Sequence, residues 1–101
     1  MTQQPEIPVA PQDVPAFPCI IYVLQNGATV RARVVNLDLA FAADESLQEQ
    51  GGSERDVLGR LVPKFKAKIA ELHRAGKPIP WADPIPEPEA GEQKRFIPIH
   101  L

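Results

Sequence analysis

Alternating apolar and polar positions early in the chain predict two β-strands. Residues 19–25 are rich in β-branched and aromatic side chains, and a second such run covers residues 28–35. Asn26-Gly27 lies between the two runs. This dipeptide favours a two-residue type I′ turn, because both central positions of that turn need φ > 0. We therefore expect a β-hairpin in which Gln25 pairs with Ala28.

The expected turn sets the register, and the register decides which side chains share a face of the sheet. One face is then apolar and should face the core, with the pairs Val23–Val30, Ile21–Ala32 and Cys19–Val34. The opposite face is mixed, with the pairs Tyr22–Arg31 and Ile20–Arg33. Either a partner covers the mixed face, or the arginine stems lie over its apolar side chains.

Alternation resumes over residues 36–42, where Leu37, Leu39 and Phe41 fall on one side. This pattern predicts a third strand, antiparallel to the second. The polar stretch 43–52 that follows is expected to be a loop, with Gly51-Gly52 as its hinge.

The sequence predicts a helix that begins at Ser53. Ser53 and Asp56 have the spacing of a capping box, here in a variant with aspartate in the last position. Gly76 followed by Pro78 is a stop signal, because glycine accepts the left-handed conformation and proline cannot continue a helix. The apolar positions have the three-and-four spacing of one buried face: Leu58, Leu61, Val62, Phe65, Ile69 and Leu72.

Pro63 conflicts with this helical pattern. It removes the hydrogen bond to Gly59 and costs about 3 kcal/mol or more. Burial of the apolar stripe contributes roughly 1.5–3 kcal/mol per large side chain before entropy is counted, so the stripe outweighs the proline. We expect a helix kinked at Pro63, with a short first helix that ends before Pro63 as the alternative.

Proline also marks the ends of the chain. Residues 1–16 carry four of the 12 prolines and predict an extended arm, either a leader without regular structure or a strap on a neighbouring surface. Residues 17–101 are expected to form one domain. Within it, the Pro/acidic segment 82–94 predicts an extended connector, and residues 95–101 predict a last strand that Pro98 confines to a sheet edge.

These elements predict the α+β class. The expected architecture is a three- to four-stranded antiparallel sheet with one helix packed on one face, in the order β-β-β-α-β.

Composition limits the classes of function. A length of 101 residues fits one domain. A net charge of −2 does not favour binding to nucleic acid.

The single cysteine, Cys19, excludes an internal disulfide and fits a reducing compartment. No apolar stretch approaches the ~20 residues that span a bilayer, and the first residues lack a signal-peptide pattern. We expect a cytoplasmic protein with no membrane partner.

Catalytic and metal-binding patterns are not found in the sequence. Cys19 is expected on a buried strand face, where a thiol is inert, and the two histidines, His73 and His100, are too far apart in sequence to suggest a metal cluster. His73 lies near the helix C-terminus, where a cationic side chain suits the helix dipole. Gly51-Gly52 lacks a phosphate-loop pattern. We therefore expect no enzyme activity, no cofactor and no metal.

A basic stripe runs along the predicted helix at four-residue spacing: Arg60, Lys64 and Lys68. Such a stripe is usually a solvated helix face; the alternatives are docking onto an acidic partner or weak contact with RNA. With the mixed sheet face, it supplies the candidate partner-binding residues, which are Tyr22, Arg31, Arg33, Arg60, Lys64 and Lys68.

The pattern resembles the N-terminal domain of HicB-type antitoxins over roughly residues 18–81. Three features carry the resemblance: the hairpin at 19–35, the entry Gly51-Gly52-Ser53 into a helix, and the phrase Gly76-Lys77-Pro78-Ile79-Pro80 after it. The resemblance implies a partial ribonuclease-H-like fold without ribonuclease activity, which binds and blocks a small mRNA-cleaving toxin. Many members add a DNA-binding domain, for which the residues after Trp81 are too few, so direct DNA binding is not expected.

Two kinds of function follow. The leading hypothesis is a non-catalytic protein-binding module of the HicB-like kind, with a small toxin nuclease as partner. The alternative is a stand-alone, self-associating scaffold domain, because a core this small is marginal alone and a homo-oligomer would enlarge it.

Overall fold

A computed structural model describes residues 16–38 and 47–101 of the chain. The strands form one antiparallel sheet in the spatial order β3-β2-β1-β4, and the helix packs on one face of it. The α+β class and the order β-β-β-α-β are thus confirmed. The elements are β1 (Ala16–Asn26), β2 (Thr29–Val34), β3 (Gln48–Gly51), α1 (Glu54–Arg74) and β4 (Gln93–His100).

β1 and β2 form the expected hairpin, but the predicted register is wrong by two residues. Asn26 pairs with Thr29, so Gly27 and Ala28 form the turn. Gly27 has a φ of 64°, and no residue other than glycine has a positive φ within the described ranges. A type I′ turn at 26–27 would put Asn26 at positive φ as well, whereas glycine alone at the first central position is typical of type II′.

The displaced register keeps every side chain on its expected face, because a shift of two residues preserves the alternation of a strand. The apolar face is buried as predicted, with Cys19, Ile21, Val23, Val30, Ala32 and Val34 in the core. The outer-face pairs differ: Tyr22 lies opposite Arg33, and Leu24 lies opposite Arg31. The predicted pairs Tyr22–Arg31 and Ile20–Arg33 are therefore wrong, and so are the predicted inner-face pairs, because Val23 lies opposite Ala32 and Ile21 lies opposite Val34.

The third strand comes later in the chain than expected. β3 occupies Gln48–Gly51, inside the stretch predicted to be a loop, and pairs with β2. Residues 36–38 form no strand, since Asn36 lies in a bend and Leu37 makes only an isolated bridge to Trp81; residues 39–42 of the predicted strand lie outside the described residues. β3 is a short strand at the edge of the sheet, and such a strand can be polar. Its sequence therefore shows no apolar alternation from which a strand could be predicted.

The helix α1 begins and ends as the capping signals predict. Ser53 is the N-cap, and its Oγ accepts a hydrogen bond from the backbone N–H of Asp56 at 3.1 Å. Gly76 takes a φ of 68° just after the helix. The helix runs through Pro63 without interruption, so the alternative of a short first helix is wrong.

The buried stripe of α1 is rotated slightly from the predicted one. Its fully buried positions recur every four residues, at Val57, Leu61, Phe65 and Ile69. Leu58 and Val62 are only partly buried against the core, Leu72 is half-buried, and Val57 was not expected in the stripe.

β4 completes the sheet as an edge strand, as predicted, and pairs along its whole length with β1 of its own chain. It begins two residues earlier than expected, at Gln93, and ends at His100. Pro98 lies opposite Pro18, and a proline is tolerated there because the outer side of an edge strand needs no ladder donor. Ala16, assigned from sequence to the arm, begins β1, and residues 1–15 lie outside the described residues.

Candidate functional site

The outer face of the sheet, opposite α1, holds the candidate residues of the hairpin. Tyr22 on β1 and Arg31 and Arg33 on β2 all project there. The Pro/acidic connector, here defined as residues 82–92, leads into β4 and lies against this face, where Pro86 and Glu92 bond to Tyr22 and Arg33. The connector divides the face into a covered part and an open part.

Tyr22 lies in the covered part. Its side chain is 3% exposed, and its hydroxyl donates a hydrogen bond of 2.7 Å to the backbone carbonyl of Pro86. A buried tyrosine usually satisfies its hydroxyl in this way. Tyr22 therefore anchors the connector to the sheet and offers no free surface to a partner.

Arg33 is the second anchor of the connector. Its Nε and Nη2 donate to the two carboxylate oxygens of Glu92 at 2.9 and 2.8 Å, a bidentate pair. The same carboxylate accepts from the backbone N–H of Glu89 at 2.8 Å. Hydrogen bonding by Arg33, and secondarily by that N–H, lowers the pKa of Glu92 against the opposing effect of desolvation. The guanidinium also lies 5.4 Å from the ring centre of Tyr22, within the range of a cation–π contact.

Arg31 lies in the open part of the outer face. It lines a groove of about 620 Å³ between β3 and the connector, together with Gln48, Gln50 and Glu89. In the described part of the chain its guanidinium makes no hydrogen bond or ion pair, although its charge contributes to lowering the pKa of Glu92. Arg31 is therefore the hairpin candidate that remains available for contact with another molecule.

The basic stripe of α1 binds to the chain's own β3. Arg60 donates to the carboxylate of Glu49 at 3.2 Å and to the backbone carbonyl of Gln50 at 2.7 Å. Lys64 pairs with the other oxygen of Glu49, and Lys68 lies 3.8 Å from Glu71. Hydrogen bonds from Lys64 and Arg60 lower the pKa of Glu49. Two members of the stripe thus hold the helix to an edge strand.

An exposed aromatic side chain, Phe96, stands at the other end of the outer face. It is 61% exposed and lies opposite the partly buried Ile20 across the β1–β4 pairing. Lys94 lies two residues before it on the same face, opposite Tyr22. Exposed apolar surface that is rimmed by polar groups is typical of interaction sites. We call Ile20 and Phe96 the β1–β4 patch.

Cys19 lies on the buried face of β1, where it was expected. Cys19 is fully buried, and burial raises the pKa of its thiol to about 12, so the nucleophilic thiolate is not formed near neutral pH. His73 packs edge-on against Phe17, with ring centres 5.9 Å apart. No group of three or more metal-ligating side chains occurs within residues 16–38 and 47–101.

The residues that sequence reasoning missed are the partners of the candidates. Glu49 and Glu92 lie in stretches predicted to be loop and connector, and no local pattern shows which arginine each would meet. Phe96 carried a usable signal, since strand alternation puts it on the face opposite Ile97 and Ile99.

No helix in the described part of the chain is long and apolar enough to cross a membrane. Comparison with models of known protein families gives no match, and comparisons with curated proteins and with solved structures give no match either.

Proposed function

We propose that this protein is a non-catalytic protein-binding module that acts as HicB-type antitoxins do, by covering a small mRNA-cleaving toxin in the cytoplasm. The observation that supports it best is the β1–β4 patch, where Phe96 is 61% exposed beside Ile20. Aromatic side chains are enriched at the centres of protein interfaces and often carry much of the binding energy. The resemblance at 18–81 suggests the kind of partner.

The surroundings of the patch fit an interface rim. Lys94 is exposed on the same face, and Arg31 lies further across it, exposed and without a hydrogen-bond partner among the described residues. A centre of apolar side chains with charged groups around it is the usual anatomy of an interface between proteins that also exist apart. We expect the toxin to cover Phe96 and to make its polar contacts with Lys94 and Arg31.

Binding through side chains is favoured over addition of a strand to β4. The backbone N–H of Ile20 bonds to Asn36, and its carbonyl accepts from Val35, so both groups point away from β4. In an antiparallel ladder the opposite residue, Phe96, then turns its own backbone groups to the open edge. Pro98, two residues later, has no N–H to offer there, and such a gap discourages strand addition.

The test is coexpression with a candidate toxin of this class. The wild-type chain should restore growth, and Phe96→Ser should restore it poorly because the aromatic anchor is lost. Leu101→Ser is the matched control, since Leu101 is also a large exposed apolar residue but continues the alternation of the inner face. Absence of rescue by the wild type, or equal rescue by both variants, would contradict the proposal.

Self-association through the same patch is a second candidate. The observation that favours it is that α1 covers one face of the sheet only, so burial of Phe96 against a second copy would enlarge a small core. Sedimentation velocity at high micromolar concentration should then show a dimer that Phe96→Ser converts to monomer. A wild-type chain that stays monomeric would remove this candidate and leave the toxin-binding one in place.

A further inference from the structure

The one tryptophan of the chain lies on a hydrogen-bonded stretch of backbone and is partly exposed. Trp81 is 40% exposed and forms a β-bridge with Leu37. The flanking backbone is held by two hydrogen bonds, from Asp38 N–H to Pro80 at 2.7 Å and from Ala82 N–H to Asn36 at 2.9 Å. These bonds fix the position of the backbone from which the indole projects.

Trp81 forms one wall of a cavity of about 410 Å³ between the end of β2 and the start of the connector. Val35 and Leu37 lie at its buried inner side, and the exposed Pro84 and Pro86 line it on the connector side. Asp83 also lines the cavity and is exposed. The residues that line the cavity therefore include an aromatic side chain, apolar side chains and carboxylates.

The charges around the cavity favour a cation. Arg33 also lines it, but its guanidinium is neutralised by the bidentate pair with Glu92. Asp38 adds a second carboxylate to the lining and takes part in a contact within the chain, so Asp83 is the carboxylate assigned to the ligand. An anion would meet this carboxylate, and an apolar ligand would desolvate it without compensation.

We propose that this cavity binds the side chain of an arginine from a partner polypeptide. A guanidinium is planar, stacks on the face of an indole and donates two parallel N–H bonds to a carboxylate, a geometry that an ammonium lacks. The methylene stem of the arginine would lie along Pro84 and Pro86, which are exposed and line the cavity, as long cationic side chains do on apolar surfaces. The cavity shares no lining residue with the β1–β4 patch, so this inference stands independently of the proposed function.

The experiment uses the full chain and the single tryptophan, which supplies a single indole N–H signal in a ¹H–¹⁵N NMR spectrum. The probe is the peptide acetyl-Gly-Arg-Gly-amide, and its control carries citrulline, a neutral side chain of nearly the same shape, in place of arginine. We expect the arginine peptide to move the indole signal to saturation and the citrulline peptide to leave it in place. An equal response to both peptides, or no response to either, would overturn the proposal.

Two variants locate the charge that is recognised. Asp83→Asn should weaken binding of the arginine peptide about three-fold, the size expected from loss of one exposed ion pair. Glu87→Gln removes an exposed carboxylate from the same connector, outside the cavity lining, and should leave binding unchanged. The remaining backbone signals report whether each variant is folded. A folded Asp83→Asn chain that binds as tightly as wild type would also overturn the assignment.

Discussion

Asn36 is the residue on which the junction of β1 and β2 depends. The ladder between them stops at the pair Ile21–Val34, whereas β1 continues back to Ala16. The carboxamide of Asn36 accepts from the N–H of Ile20 at 3.2 Å and donates to the carbonyl of Pro18 at 2.8 Å. The side chain of Asn36 is 4% exposed. It makes the hydrogen bonds to this part of β1 that β2 does not reach.

Replacement of Asn36 by leucine should therefore destabilise the fold strongly. The backbone N–H of Ile20 and the carbonyl of Pro18 would lose their partners, at about 1–3 kcal/mol for each buried unsatisfied group. We expect urea denaturation to show a loss of about 2–4 kcal/mol in the free energy of unfolding. Asn26→Leu, a change at an exposed asparagine, should stay within about 0.5 kcal/mol; similar losses in the two variants would contradict this role of Asn36.

At the scale of the element, the hairpin turn distinguishes the predicted register from the observed one. Gly27 has a φ of 64°, and an added Cβ would meet nothing within 4 Å. Gly27→Ala should then cost only the backbone strain of the left-handed region, about 1–2 kcal/mol. Asn26→Ala should cost little, because Asn26 has a negative φ. A type I′ turn at 26–27 predicts losses in both variants, which thermal denaturation would detect.

The helix α1 carries a defect that can be removed. Pro63 lies inside it, exposed to solvent, and cannot donate the hydrogen bond that Gly59 would accept. Pro63→Ala should raise the free energy of unfolding by about 1–3 kcal/mol, since the recovered helical bond outweighs the greater freedom of the unfolded chain.

A proline outside the helix supplies the control for that change. Pro88→Ala in the connector restores no helical bond, so it should be neutral or slightly destabilising through the unfolded state. Chemical denaturation of the two variants should therefore show effects of different size and sign. Equal effects would show that the helix gains nothing from the loss of Pro63.

At the scale of the whole molecule, ion pairs join segments that are distant in the sequence. Each of three glutamates has its pKa lowered by hydrogen bonds from basic side chains, which favour the charged carboxylate. The pairs are Glu49 with Lys64 and Arg60, Glu54 with Arg95, and Glu92 with Arg33. They connect β3 to α1, α1 to β4, and the connector to β2.

These lowered pKa values determine how stability depends on pH. Between the folded and the unfolded pKa of a glutamate, the unfolded chain binds more protons, so a fall in pH favours unfolding. The contribution is complete above the unfolded value of about 4.3 and is lost as the pH falls through the lower folded value. We expect the free energy of unfolding to be steady from neutral pH down to about 5 and then to decrease.

Glu92 should account for much of that decrease, because its side chain is the least exposed of the three, at 6%. Glu92→Gln should lower stability at pH 7 and make the acid limb shallower, as measured by urea midpoints from pH 7 to pH 3. Glu87→Gln, at an exposed position of the connector, should reproduce the wild-type curve. An unchanged acid limb in Glu92→Gln would contradict the role assigned to the Arg33 pair.

The sequence by itself determined the features that local chemistry controls. The alternation in β1 and β2 predicted the buried face correctly even though the register was wrong, because burial depends on parity along each strand. Ser53 and Gly76 predicted the ends of α1, since caps act on neighbouring backbone groups. The edge position of β4 followed from Pro98, which cannot donate to a ladder on its outer side.

Only the tertiary structure decided the features that depend on groups far apart in the chain. β3 is polar and short, so its own sequence does not predict its position. Pairing with β2 and the bonds from Arg60 and Lys64 of α1 to Glu49 hold it at the edge of the sheet. Tyr22 and Arg33 are not available to a partner, because they bond to the connector, some 60 residues further along the chain. A local pattern records what a residue favours, but which distant group satisfies it is decided when the chain packs.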